Sequence, residues 1–153
     1  MGYTLNKGFT FLEVIIVVAI LLVLTGTVMP MYVGIINDRS LAEVEDQIIL
    51  ILRLARGRSD AGLSDSAHGV YVDNDVLPHS LVLFEGGSYL SRNPAQDYVV
   101  EFGEEFSLTT NFAGGDVVFS RVLARADEEG EIVATHIGGE QEIIQINKLG
   151  QIR

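Results

Sequence analysis

From Val14 to Asn37 the chain runs for 24 residues without one charged side chain. As an α-helix that stretch is about 36 Å long at ~1.5 Å per residue, against a bilayer hydrocarbon core of about 30 Å. It is long enough to span. One carboxylate, Glu13, stands at its mouth, behind the leader Lys7-Gly8-Phe9-Thr10-Phe11-Leu12. An acidic residue at a bilayer centre costs roughly 2.5–3.5 kcal/mol, and less near the interface. A carboxylate held there implies a partner for it, and sets this N-terminus apart from a plain anchor.

Charge on either side orients the span. Lys7 precedes it, whereas Asp38, Glu43, Glu45 and Asp46 follow it and outweigh Arg39. The positive-inside rule leaves the N-terminus in the cytoplasm and the bulk of the chain outside. An ordinary secretory signal peptide would use Lys7, the apolar Val14–Leu24 and a weak small-residue site at Thr25-Gly26-Thr27. Glu13 at the front of the apolar region counts against it. So does the helical pattern that continues beyond Pro30.

After Gly26, Pro30 and Gly34, where a break is expected, apolar residues recur at Leu41, Val44, Ile48, Ile51, Leu52 and Ala55. Steps of three and four describe one face of an amphipathic helix. That helix is expected to stop near Arg56-Gly57-Arg58, where glycine and basic residues suit a C-terminus. Residues 9–37 thus form an all-round apolar helix and 38–58 an amphipathic one. The first needs a greasy environment and the second a domain to lie against.

Residues 59–153 form the remaining domain. Ser59–His68 reads as a small polar linker. Short runs rich in β-branched and aromatic residues then predict strands near Gly69–Val72, Ser80–Phe84, Tyr98–Phe102, Val117–Leu123, Ile132–His136 and Glu142–Ile146, with a short one at Gln151–Arg153. Asn147-Lys148-Leu149-Gly150 reads as a hairpin loop with Gly150 in the left-handed position. The fold class is α+β: a long N-terminal helix, transmembrane then amphipathic, packed on an antiparallel β domain.

The formal net charge of −11 repels phosphate backbones, so nucleic acid is not an expected partner. With no cysteine there is no disulfide and no thiolate chemistry. His68, His79 and His136 lack zinc-site spacing and read as surface or loop residues. There is no P-loop, and Gly86-Gly87-Ser88 lacks the flanks of a nucleophile elbow. Asp73-Asn74-Asp75 and Asp127–Glu131 cluster oxygens that could hold Ca²⁺, but neither matches an EF-hand, and acidic turns are usually solvated. No cofactor and no enzyme activity is expected.

Gly8-Phe9-Thr10-Phe11-Leu12-Glu13, followed by an apolar run containing Pro30, resembles the class III signal sequence of type IV pilins and type II secretion pseudopilins. The resemblance implies that residues 1–8 are a leader removed by prepilin peptidase. The cut falls between Gly8 and Phe9, Phe9 is N-methylated, Glu13 serves assembly, and the helix bends at Pro30. More softly, Gly69-Val70-Tyr71-Val72-Asp73, Leu83-Phe84, Val118-Phe119, Gly130-Glu131-Ile132 and Gly150-Gln151-Ile152 are similar in order to H-type (GspH) minor pseudopilins and FimT-like minor pilins. The cysteine pair of many major pilins is missing. Lys148 and Arg153 are faint counterparts of the basic residues with which some FimT-like proteins bind DNA.

The expected function is that of a structural subunit of a type IV pilus or type II secretion pseudopilus, as a minor subunit at the tip or in initiation. The alternatives are a major subunit, or a membrane-tethered extracytoplasmic binding module that never polymerises. Expected partners are other pilin or pseudopilin subunits, prepilin peptidase, the inner-membrane assembly platform and the membrane itself. Expected localisation is the bacterial inner membrane as a single-pass precursor, then an extracytoplasmic filament.

Overall fold

The structure, a computed structural model, describes residues 9–153, and of residues 26–39 it describes the helical backbone alone. The chain divides into two compact units, Met1–Ile36 and Asn37–Arg153. Helix α1, Phe11–Asp60, contributes to both and is assigned as helix without interruption, through the Gly26–Gly34 stretch where a break is expected. The bend expected at Pro30 lies outside the described side chains.

In the first unit every described side chain from Phe9 to Thr25 is exposed. Phe9 and Phe11 are 83 % and 82 % exposed. Water does not tolerate that surface, so something apolar must cover it. Among the described residues no helix is long and apolar enough to cross a membrane. The described part of the apolar run stops at Thr25; the rest, to Asn37, falls among the side chains left undescribed. Thr25 is the polar exception, and its hydroxyl donates to the Leu21 carbonyl at 2.8 Å, which spares it an unmet hydrogen bond in an apolar setting.

In the second unit the amphipathic stripe packs as its spacing predicts. Leu41, Val44, Ile48, Ile51, Leu52 and Ala55 are all buried. Each large aliphatic among them contributes about 1.5–3 kcal/mol when fully removed from water, an upper estimate because the unfolded chain already hides some of that surface.

Two antiparallel sheets share one core with this stripe. Strands are β1 (His68–Asp73), β2 (Ser80–Glu85), β3 (Tyr98–Glu101), β4 (Phe106–Thr110), β5 (Asp116–Phe119), β6 (Gly130–His136) and β7 (Gln141–Ile146). The first sheet has the order β3-β2-β1-β5 and the second β4-β6-β7. Alternation puts Val70 and Val72 of β1 and Leu81 and Leu83 of β2 in that core. The opposite face of the first sheet is also covered. Phe84 lies over Gly69, the Tyr89 ring stacks on Tyr71 at 3.7 Å between centroids, and the Arg92 guanidinium sits 3.7 Å above Tyr89 while its Nε donates to Asp97 at 2.8 Å.

Five sequence expectations are corrected. Helix α1 continues past Arg58 to Asp60, and Gly62 in left-handed conformation (φ 63) follows it; Gly57 stays helical. Ser59–His68 is not a loose linker, because Ser59 and His68 are both buried. The β5 strand ends at Phe119 rather than Leu123, since residues 121–123 turn and Val122 takes a positive φ of 70°. β4 was absent from the predicted strands. Gln151–Arg153 forms no strand, only an isolated bridge between Ile146 and Ile152. The hairpin before it is as expected: Gly150 has φ 72 and donates to the Asn147 carbonyl at 2.8 Å.

Candidate functional site

The first turn of α1 carries Glu13, the one charged side chain among the described residues of the apolar unit. Thr10 precedes the helix, and its Oγ1 accepts the Glu13 backbone N–H at 3.3 Å. Glu13 reaches back, and its Oε2 accepts the Thr10 N–H at 3.4 Å. This is a reciprocal capping box, in which two backbone donors left over at a helix start are each given an acceptor. The acid also sits at the positive end of the helix dipole. The Thr10-x-x-Glu13 spacing is itself a capping-box signal in the sequence. Glu13 therefore has a local structural use, and its side chain remains exposed. Phe9, the expected new N-terminus, lies fully open beside it. Gly8, and with it the expected cleavage point, lies outside the described residues, and of Pro30 only the helical backbone is described.

The β domain does not assemble a catalytic or metal-binding arrangement from the candidates that the sequence offered. His68 is 1 % exposed and His136 9 %, so two of the three histidines are core residues instead of surface ones. The apolar core on one side of β1 explains His68, which shares the inward parity of Val70 and Val72. Burial pushes the His68 imidazole below its ordinary pKa, with Arg58 acting in the same direction and Glu85 opposing. His79 Nδ1 accepts the Leu108 N–H at 2.8 Å, which helps bind β4 beside the first sheet. These three side chains sit in three different surroundings and make no common site.

In the Asp127–Glu131 turn, two of the carboxylates are engaged locally. Asp127 Oδ1 accepts the Val118 N–H at 3.0 Å and the Glu128 N–H at 3.0 Å, while Glu128 Oε1 accepts the Ala113 N–H at 2.6 Å. Among the described residues no group of three His, Cys, Asp or Glu side chains converges as a metal site.

Comparison with known families finds one match: residues 3–29 fit the prokaryotic N-terminal methylation motif. That motif is the type IV prepilin signal, and it supports the pilin and pseudopilin class, prepilin cleavage, N-methylation and an inner-membrane precursor that passes into a filament. It points to a structural subunit rather than an enzyme. Curated proteins and solved structures give no match to the chain.

Proposed function

We propose that this protein is a minor subunit of a type IV pilus or type II secretion pseudopilus, acting at the tip or in initiation, of the H-type or FimT-like kind. The observation that carries the reading is the coincidence of the methylation motif on residues 3–29 with a helix exposed on all its described faces from Phe9 to Thr25. Such a helix needs lipid before assembly and neighbouring helices after it. Residues 9–37 supply the membrane span and then the filament core, 38–58 the amphipathic half, and 59–153 the β domain carried outside. Prepilin peptidase removes residues 1–8, the new Phe9 amine is methylated, and the inner-membrane assembly platform hands the subunit to its neighbours. Support for the subtype is the order of short motifs from Gly69 to Ile152.

Intact-mass measurement on membrane and filament fractions tests this reading. The expected species begins at a methylated Phe9 and lacks Met1–Gly8. A species that begins near Val28 establishes an ordinary signal peptide, and an uncut chain establishes a tethered module that does not polymerise.

A further inference from the structure

The chain has 21 acidic residues against 10 basic ones, so arginines gathered at one place on its surface call for a cause. They gather where the chain after β7 passes α1. A cleft of about 370 Å³ is lined by Arg53, Arg56 and Arg153 with Gln151 and Ile152, and no Asp or Glu is among its walls. Arg53 and Arg56 are three residues apart on α1 and so share a face, while the Ile146–Ile152 bridge holds Arg153 beside them. Among the described residues none of the three guanidinium groups enters an ion pair or a side-chain hydrogen bond. Like charges held together without a counter-ion repel one another. An anion entering the cleft relieves that repulsion.

The matching anion lies on the same protein. Gln151 and Arg153 also line a second cleft, of about 330 Å³, whose walls include Glu129 and Glu131. Their neighbours Asp127 and Glu128 are committed to backbone amides, but the Glu129 and Glu131 carboxylates have no partner among the described residues. An arginine-rich cleft and a carboxylate-bearing cleft thus flank one strip of chain, with Arg153 at the edge of both.

We propose that the Arg53–Arg56–Arg153 cleft binds the Glu129–Glu131 carboxylates of a second copy of this chain. Because the two clefts are adjacent, a two-fold axis near Gln151 lets each copy satisfy the other in both at once, as a self-complementary interface requires. Arginine forks suit carboxylates because each can make two parallel hydrogen bonds. A small inorganic anion would fill one cleft and leave the other open. A nucleic acid would meet Glu129 and Glu131 directly beside the arginines, on a chain of net charge −11. The contact is separate from the one at Glu13 and does not depend on the filament reading. Two copies in one membrane suffice for it.

The test uses the full chain in detergent micelles, with the dimer fraction followed by sedimentation. The expected contact weakens from about 0.1 M to about 1 M salt, as the screening length shortens from ~10 Å to ~3 Å. Arg53→Glu with Arg56→Glu should cut dimerisation at low salt at least fivefold, and Glu129→Arg with Glu131→Arg should do the same. Mixing these two variants should restore it, because every reversed charge then meets its opposite. Recovery on mixing also shows that both variants are folded. Unchanged dimerisation in the single-cleft variants, or no recovery on mixing, overturns the proposal. So does binding of duplex DNA or inorganic phosphate at the arginines without any change in self-association.

Discussion

The Ser59 hydroxyl accepts the backbone N–H of His68 at 2.9 Å, and thereby fastens the last turn of α1 to the first residue of β1. The Ser59 carbonyl in turn accepts both the Gly62 N–H at 3.1 Å and the Val122 N–H at 2.9 Å, so a carbonyl of the last helical turn is shared between the local turn and the loop after β5. Three elements meet at two buried residues nine positions apart. His68 completes the joint with Nδ1 buried and unpartnered, a state that a neutral imidazole tolerates and an imidazolium does not.

That joint makes stability depend on pH. The folded-state pKa of His68 is lowered from 6.5, so below that value the unfolded chain binds a proton that the folded one refuses. The stabilisation is complete above about pH 6.5 and is lost as pH falls through the lower folded value. Urea melts of the second unit between about pH 7 and pH 5 should show this decline, and His68→Gln should flatten it. A wild-type curve level across that window would show that His68 is protonated at no cost.

Gly69 is held by its neighbour across the strand pair. A Cβ there would stand 2.5 Å from Phe84 Cζ and 2.8 Å from the Val117 carbonyl oxygen. One is a buried ring and the other is backbone, so neither yields cheaply. Gly69→Ala should destabilise the domain by about 1–3 kcal/mol, read as a drop in melting temperature. Adding Phe84→Leu should recover part of that loss, since two residues in contact do not act additively.

The amphipathic half of α1 belongs to the core of the second unit. A fragment beginning at Asp38 should be soluble and melt cooperatively, whereas one beginning at Ser59 loses Leu41, Val44, Ile48, Ile51, Leu52 and Ala55 from that core. Aggregation or non-cooperative melting is expected of the shorter fragment. Equal melting temperatures for the two would mean that the sheets close without the helix.

Glu13 offers two separable roles, as a cap and as a charge. Glu13→Gln retains a capping side chain but loses the carboxylate, while Glu13→Val loses both. If a neighbour's Phe9 amine pairs with the carboxylate, both variants should insert into the membrane and be processed, yet fail to enter sheared filaments. If the cap alone matters, Glu13→Gln should be incorporated normally and only Glu13→Val should fail. Normal incorporation of both removes Glu13 from assembly.

Local chemistry made much of this protein readable before its fold. The apolar run, the charge at its mouth and the three-and-four stripe from Leu41 to Ala55 depend on residue type and spacing alone, and all six residues of that stripe are buried. Ser59 continues the stripe four residues beyond Ala55, and Phe106-Ser107-Leu108 alternates as a strand should, so both β4 and the longer helix had a signal that short polar side chains masked. Other features had none. That strands would divide between two sheets, that His68 would lie in the core, and that Arg53 would share a cleft with Arg153 are decided by contacts between residues far apart in the chain. Spacing along a sequence encodes which face of an element is apolar; which other element covers that face is settled only when the whole core closes around it.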